Sequence, residues 1–131
     1  MYNLATQTYQ NTERTTVSPR ELEASLLLKA ARKIQVVKDN WDSRQDMLDE
    51  ALTFNRRLWT ILSTSATSPD NPLPQPVKQN IANLAVFIFT RTVNILTDKE
   101  AGPERLGVLV QINRSLAEGL RNSVASESAP K

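Results

Sequence analysis

The chain has 131 residues, a net charge of +2 and an apolar fraction of 40%, values typical of one small domain. It contains no cysteine and no histidine, which excludes disulfide frameworks and leaves zinc sites and histidine-dependent nucleophiles without their usual groups. We therefore expect no catalytic residue, no metal site and no cofactor.

The N-terminal segment, residues 1–17, is polar and carries neither a basic start nor an apolar signal core. The default expectation is a cytoplasmic protein. Tyr2, Ala5 and Tyr9 have helical spacing, so this segment is either a frayed terminal arm or a short helix that docks on the domain.

The first long helix is predicted to begin at Ser18. The Ser18 hydroxyl can accept from the Glu21 backbone N–H, the Glu21 carboxylate can accept from the Ser18 N–H, and Pro19 suits the first helical position. The helix should end near residues 40–42. Its apolar stripe consists of Leu22, Leu26, Leu27, Ala30, Ile34, Val37 and Trp41.

The second helix is predicted to start with a weaker cap formed by Ser43 and Asp46. Asn55 is the one polar member of its stripe. A buried Asn can fix the register between helices, and we favour that structural role over ligand binding. The stripe consists of Leu48, Ala51, Leu52, Asn55, Leu58, Trp59 and Leu62.

Residues 63–76 form the predicted linker, which holds four of the seven prolines. Each proline fixes its own φ and lacks a backbone donor, so the linker should be a stiff, extended crossover. A spacer between helices is favoured over a proline-rich binding epitope. Leu73 is expected to anchor the linker to the core.

Val77–Leu96 is predicted to be the central helix of the bundle. Its length of about twenty residues argues against a buried strand, which usually has about five or six. Apolar side chains cover more than half of its circumference, so it should contact several neighbours. One face holds Val77, Ile81, Leu84, Ala85, Ile88, Thr92 and Ile95, and the adjoining face holds Ala82, Val86, Phe89, Val93 and Leu96.

The polar side of this helix raises two expectations. Polar residues such as Lys78 and Arg91 interrupt the apolar run, so we expect no membrane span and no membrane partner. Phe87 lies among the polar residues, and it is either covered by another helix or part of a partner surface.

The last helix is predicted to begin at Pro103, after a turn at Gly102. Gly119 within it costs about 1 kcal/mol relative to Ala, which indicates close packing or fraying there. Residues 123–131 are expected to be disordered. The stripe consists of Leu106, Leu109, Val110, Asn113, Leu116, Ala117 and Leu120.

These elements predict an all-α fold, a small bundle of four main helices spanning residues 18–122. A short N-terminal helix remains an open addition. The basic residues are not gathered on one segment, so direct nucleic-acid binding is not expected.

Several strings, in their order and spacing, resemble the FlaF family of small flagellar proteins. Together they cover nearly the whole chain except its two ends. The strings are SPRELEASLLLKAA (residues 18–31), NWD (40–42), LDEAL with NRRLWTI (48–61), DNPLP (70–74), QNIANLAVFIF (79–89) and INRSLAEGL (112–120).

The resemblance implies a cytoplasmic, non-enzymatic protein that favours flagellin production and secretion and acts as an export chaperone for flagellin. It also implies a functional link to a second regulator, FlbT. Flagellin-type subunits, as the resemblance implies, end in helical segments with apolar stripes. We expect a groove beside the central helix to bind the C-terminal helical segment of flagellin. The candidate contributors to this groove are Leu28, Arg56, Arg57, Phe87 and Arg91.

Three alternatives stay open at this point. The first is a post-transcriptional regulator that acts through FlbT or flagellin mRNA, although the adjacent arginines Arg56 and Arg57 are not interleaved with exposed aromatics. The second is an enzyme, for which no phosphate loop or nucleophile elbow is present. The third is that self-association covers the surplus apolar surface.

Overall fold

The computed structural model describes residues 18–128, without the side chains of Arg44 and residues 123–128. The interpretations of residues 1–17 and 129–131 lie outside the described residues. Within residues 18–128 there is no strand, so the predicted all-α bundle of four main helices is confirmed. The helices are α1 (Pro19–Asp39), α2 (Trp41–Arg44), α3 (Leu48–Ala66), α4 (Gln75–Thr97) and α5 (Gly107–Ser128), with 3-10 turns at Gln45–Met47 and Pro103–Leu106.

One of the two predicted capping hydrogen bonds forms at the start of α1. The Glu21 N–H donates to Ser18 Oγ at 3.0 Å, and Pro19 takes the first turn. The Glu21 carboxylate does not complete the reciprocal cap. Its two oxygens accept from Arg121 Nε at 2.9 and 3.0 Å, because a charged donor binds a carboxylate more strongly than a neutral backbone N–H does. This pair joins the start of α1 to α5.

The central helix is α1, so the prediction that Val77–Leu96 is the central helix is wrong. Helix α1 packs along α5, against α3 and against the turn at Pro103–Leu106, whereas α4 packs mainly against α3. Small side chains explain this position, since Ala24, Ala30 and Ala31 are all buried and let neighbouring helices approach closely.

The connection from α1 to α3 differs from the predicted one. Helix α1 ends at Asp39 with Asn40 as its C-cap, as expected. Ser43 does not cap α3, which begins at Leu48 without a side-chain cap. The Ser43 hydroxyl instead donates to the Asn40 carbonyl at 3.3 Å. It satisfies one of the carbonyls left free where α1 ends.

The proline-rich connection is shorter than predicted, because α3 continues to Ala66 and α4 already begins at Gln75. Leu73 is partly buried against the core, as predicted. Its N–H donates to Asn71 Oδ1 at 3.0 Å, and Arg20 Nη2 donates to the same oxygen at 3.3 Å. The connection is therefore tied to the start of α1.

Helix α4 uses only part of its apolar surface inside the bundle. By length and composition alone, α4 is apolar enough to cross a membrane. The prediction that its polar residues exclude a membrane span is therefore wrong. The core helix of a soluble protein meets the same criteria, and 28% of the most apolar stretch of α4 is buried. Its buried face consists of Ile81, Ala85, Ile88, Thr92 and Ile95.

Helix α5 follows the 3-10 turn that Pro103 opens. Every member of its predicted stripe is buried. Gly119 is exposed, and a Cβ built there meets no atom within 4 Å, so close packing does not explain it. The helix continues to Ser128, past the predicted bundle end at residue 122, because extending a formed helix adds one hydrogen bond per residue without a new nucleation step.

Candidate partner-binding groove

A buried polar cluster joins three of the four main helices. Asn113 of α5 donates from Nδ2 to Asn55 Oδ1 of α3 at 2.7 Å and to the Leu27 carbonyl of α1 at 3.3 Å. Its Oδ1 accepts from Trp59 Nε1 at 2.9 Å. The side chains of Asn55, Trp59 and Asn113, all named from the sequence as structural, are fully buried.

This cluster fixes the axial positions of α1, α3 and α5 relative to one another, because its hydrogen bonds form at only one axial register. Asn55 Nδ2 has no hydrogen-bond partner among the described residues. Helix α4 contributes no group to the cluster. Its inner face meets α3 through apolar side chains and Thr92, whose hydroxyl bonds within α4 to the Ile88 carbonyl.

A groove of about 540 Å³ separates α4 from α5. The two helices make few close backbone contacts with each other, so side chains on their facing sides remain accessible. None of the lining residues is charged. The groove is lined by Leu73, Pro74, Val77, Asn80 and Leu84 on one side and by Val108, Gln111, Ile112, Ser115, Leu116, Gly119 and Leu120 of α5 on the other.

The apolar lining repeats at helical intervals on both walls. Val77 and Leu84 are seven residues apart on α4, and Val108 and Ile112 are four apart on α5. Along α5 the lining extends over about 18 Å, at 1.5 Å per residue. That length accommodates about three turns of a second helix, in the manner of helix-in-groove recognition.

Gly119 contributes space at the end of the groove that α4 and α5 form near the proline-rich connection. It lines the groove, and its missing side chain leaves at least 4 Å free around the Cβ position. An added methyl group at this position therefore meets open space.

Two of the residues proposed from the sequence, Phe87 and Arg91, lie on α4 but outside this groove. The Arg91 guanidinium is 5.3 Å from the centroid of the Phe87 ring, a cation–π distance. Phe87 is 37% exposed. The pair therefore forms a surface feature beside the groove and not part of its lining.

The other three proposed residues are dispersed over the bundle. Leu28 is partly buried against the core, and Arg56 is exposed on α3. Arg57 lines a second groove, of about 580 Å³, between α1 and α3. The sequence thus predicted a groove beside α4. The structure does not bring the five proposed residues together in that groove.

The second groove differs from the first in its charge. Its wall includes Phe54, whose ring centroid lies 5.5 Å from Lys29 Nζ and 5.2 Å from Lys33 Nζ. Charged groups of both signs surround it, so a partner there would need matching charges. The lining consists of Leu26, Asp46, Asp49, Glu50, Thr53, Phe54, Arg57, Leu58 and Ile61.

Sequence reasoning missed the α5 wall of the first groove. Val108 and Ile112 fall outside the main stripe of α5 and mark a second, narrower apolar side. Together with the glycine at residue 119, they were the available signal. Only the structure shows that this side of α5 faces Val77 and Leu84 of α4 across a gap.

The groove is lined by apolar and uncharged polar groups. Among the side chains that the structure describes, no three Asp, Glu, His or Cys residues are close enough to hold a metal ion. The groove can bury apolar side chains of a partner and can offer hydrogen bonds from Asn80, Gln111 and Ser115 at its rim.

Comparison with known proteins identifies the family. The family model described as flagellar protein FlaF matches residues 5–120, a range that includes α1, α3, α4 and both walls of the groove. No curated protein sequence and no solved structure matches the chain significantly. Because the match covers most of its length, this chain belongs to the FlaF family of flagellar proteins.

Proposed function

We propose that this protein is a non-enzymatic, cytoplasmic chaperone that binds the C-terminal helical segment of flagellin and supports flagellin synthesis and secretion. The uncharged groove between α4 and α5 carries the proposal. Membership of a flagellar protein family supports it. The groove has the length and lining that an amphipathic helix of about three turns requires.

Apolar burial supplies the affinity in this proposal. Three leucine-sized side chains transferred from water into the groove contribute roughly 5 to 9 kcal/mol in total. Association costs roughly 4 to 15 kcal/mol in lost freedom, so burial in the groove leaves at most about 5 kcal/mol and a short segment binds weakly. An export chaperone has to release its client, and weak binding is compatible with release.

The absence of charge in the groove lining makes the proposed binding insensitive to salt. Between 50 and 500 mM salt we expect little change in affinity for the flagellin segment, because screening acts on charges. Regulation through direct contact with flagellin mRNA would behave differently, since phosphate contacts weaken steeply with salt. Titration of both ligands at the two salt concentrations separates these functions.

The decisive variant is Gly119→Leu. The new side chain occupies space that the partner helix would need, and its Cβ meets no atom within 4 Å. We expect the affinity of the full-length chain for a labelled flagellin C-terminal peptide to fall at least about tenfold, measured by fluorescence anisotropy. A tenfold loss corresponds to about 1.4 kcal/mol.

Two controls accompany this variant. Gly119→Ala adds one methyl group and should keep most of the affinity. Arg114→Leu places the same bulk on an exposed part of α5 outside the groove lining, and it should bind like the unmodified chain. Unchanged binding by a folded Gly119→Leu variant would place the segment elsewhere, and no binding by the unmodified chain would refute the chaperone function itself.

A further inference from the structure

The start of α1 lies next to one end of the α4–α5 groove. Arg20 Nη2 donates to Asn71 Oδ1 at 3.3 Å, and the Leu73 N–H donates to the same oxygen at 3.0 Å. Leu73 lines the groove. Ser18 and Pro72 line a common surface depression beside it, so the chain enters α1 close to the α4 wall of the groove.

The α5 wall ends at the same place. The Glu21 carboxylate accepts from Arg121 Nε at 2.9 and 3.0 Å, and the preceding residue, Leu120, lines the groove on α5. Both walls therefore meet the first turn of α1 at one end. Residues 1–17 are attached to the bundle at this end, whereas residues 129–131 are too few to fill the groove.

The first twelve residues match the groove in charge and in length. Residues 1–12, MYNLATQTYQNT, contain no charged side chain, and none of the groove-lining residues is charged. A helix of twelve residues spans about 18 Å at 1.5 Å per residue, the length of the lining along α5. The first charged residues are Glu13 and Arg14, so charge begins where the segment has to leave the groove.

The side chains of this stretch suit the groove lining. Tyr2, Ala5 and Tyr9 follow one another at intervals of three and four residues, which places them on one side of a helix. A buried tyrosine ring fills an apolar site while its hydroxyl needs a hydrogen-bond partner. The amides of Asn80 and Gln111 in the lining supply such partners without adding charge.

The connecting residues are long enough to bring the stretch into the groove. Residues 13–17 span up to about 17 Å when extended, and they start beside the end of the groove. The FlaF family match begins at residue 5, so most of the segment before α1 belongs to the module that the family shares. A segment of the module itself is therefore available to cover the groove.

From this we infer that residues 1–12 dock as a helix in the α4–α5 groove, where flagellin has to displace them. The displacement rests on the proposed function, and the docking does not.

Connectivity distinguishes this occupant from any other apolar helix, since a short tether gives an effective concentration of about 1 mM. For an intrinsic Kd of about 0.1 to 1 mM, the apparent affinity for flagellin falls about two- to elevenfold.

The first test compares amide chemical shifts of residues 1–17 in the isotope-labelled full-length chain with those of a synthetic peptide of the same sequence. Docking predicts that residues 1–12 have different shifts in the two samples. Gly119→Leu fills part of the groove and should move the shifts of the chain toward the peptide values. Arg114→Leu, on an exposed part of α5 outside the lining, should leave them unchanged.

The second test measures competition with the flagellin C-terminal peptide. Tyr9→Asp places a charge in the uncharged stretch, and burial of an unpaired carboxylate is unfavourable, so the segment should leave the groove. The affinity of the full-length chain for the peptide should then rise at least about twofold in fluorescence anisotropy. Thr15→Asp adds the same charge to the connecting residues and should bind like the unmodified chain.

Two results would overturn the inference. Peptide-like shifts of residues 1–12 in the unmodified chain would disprove the docking. A Tyr9→Asp variant that binds flagellin no better than the unmodified chain would disprove the competition. Failure of the proposed function looks different, because then no variant binds the flagellin peptide while the amide shifts still report the docked segment.

Discussion

Substitution of Asn113 by leucine should destabilise the protein far more than the same substitution of Asn55. Asn113 joins three helices, and its removal leaves Trp59 Nε1–H without its acceptor and Asn55 Oδ1 without its donor. Each newly unpaired buried group costs about 1 to 3 kcal/mol. We expect Asn113→Leu to lower the free energy of unfolding by about 2 to 4 kcal/mol after the apolar gain of leucine is included.

Asn55→Leu has a different balance. It removes an amide whose Nδ2 is already unpaired in the described structure. Asn113 keeps its bonds to the Leu27 carbonyl and to Trp59. The substitution leaves one N–H of Asn113 Nδ2 without its acceptor, and it also removes the unsatisfied Nδ2 of Asn55. The two effects have opposite signs and each is worth about 1 to 3 kcal/mol, so they largely cancel. We expect a change in the free energy of unfolding of less than about 1 kcal/mol.

The double variant, with leucine at both positions, gives the sharpest result. In Asn113→Leu alone, Asn55 Oδ1 and Trp59 Nε1–H both lose their partners. In the double variant the Asn55 amide is also gone, so only Trp59 Nε1–H is left unpaired. The double variant should therefore be more stable than Asn113→Leu alone, a coupling expected of residues in one network. The measurement is urea unfolding followed by circular dichroism, with equal m-values as the check on two-state behaviour.

Two outcomes would refute this account of the cluster. One is an equal loss of stability in the two single variants, which would mean that Asn55 is as well bonded as Asn113. The other is a double variant whose loss equals the sum of the single losses. Either result would show that the hydrogen bonds of Asn113 do not control the packing of α1, α3 and α5.

Other predictions concern the ends and the surface of the bundle. Ser18→Ala removes the N-cap of α1 and should lower the free energy of unfolding by about 1 kcal/mol in urea titrations; Pro19→Ala is the control, and no loss would contradict the cap. Gly119→Ala should raise the free energy of unfolding by about 0.5 to 1 kcal/mol, because the Cβ position has free space around it. A lower free energy of unfolding would indicate that Gly119 is closely packed against a neighbour. Arg121→Gln breaks the half-exposed ion pair with Glu21. It should lower the free energy of unfolding by less than about 1 kcal/mol at low salt and by almost nothing at 1 M salt. A loss that salt does not reduce would show that Arg121 acts through packing.

The amino-acid pattern alone determined the helices and most of the core. Apolar spacing located the buried residues of α3 and α5, and the Ser18–Glu21 pattern located the start of α1. These features depend on neighbours within one helix, which the local sequence specifies. Even the polar core was visible, since Asn55 and Asn113 occupy apolar stripes where only a buried partner can satisfy them.

The tertiary structure decided which helix is central and where the groove lies. The long apolar run of α4 suggested a central position, but the small residues of α1, such as Ala24 and Ala31, allow the closer packing. Hydrophobicity states how much surface a helix can bury and not which neighbour will bury it. The groove depends on the gap between α4 and α5, and a gap is set by the packing of whole helices on α1 and α3, not by the residues that line it.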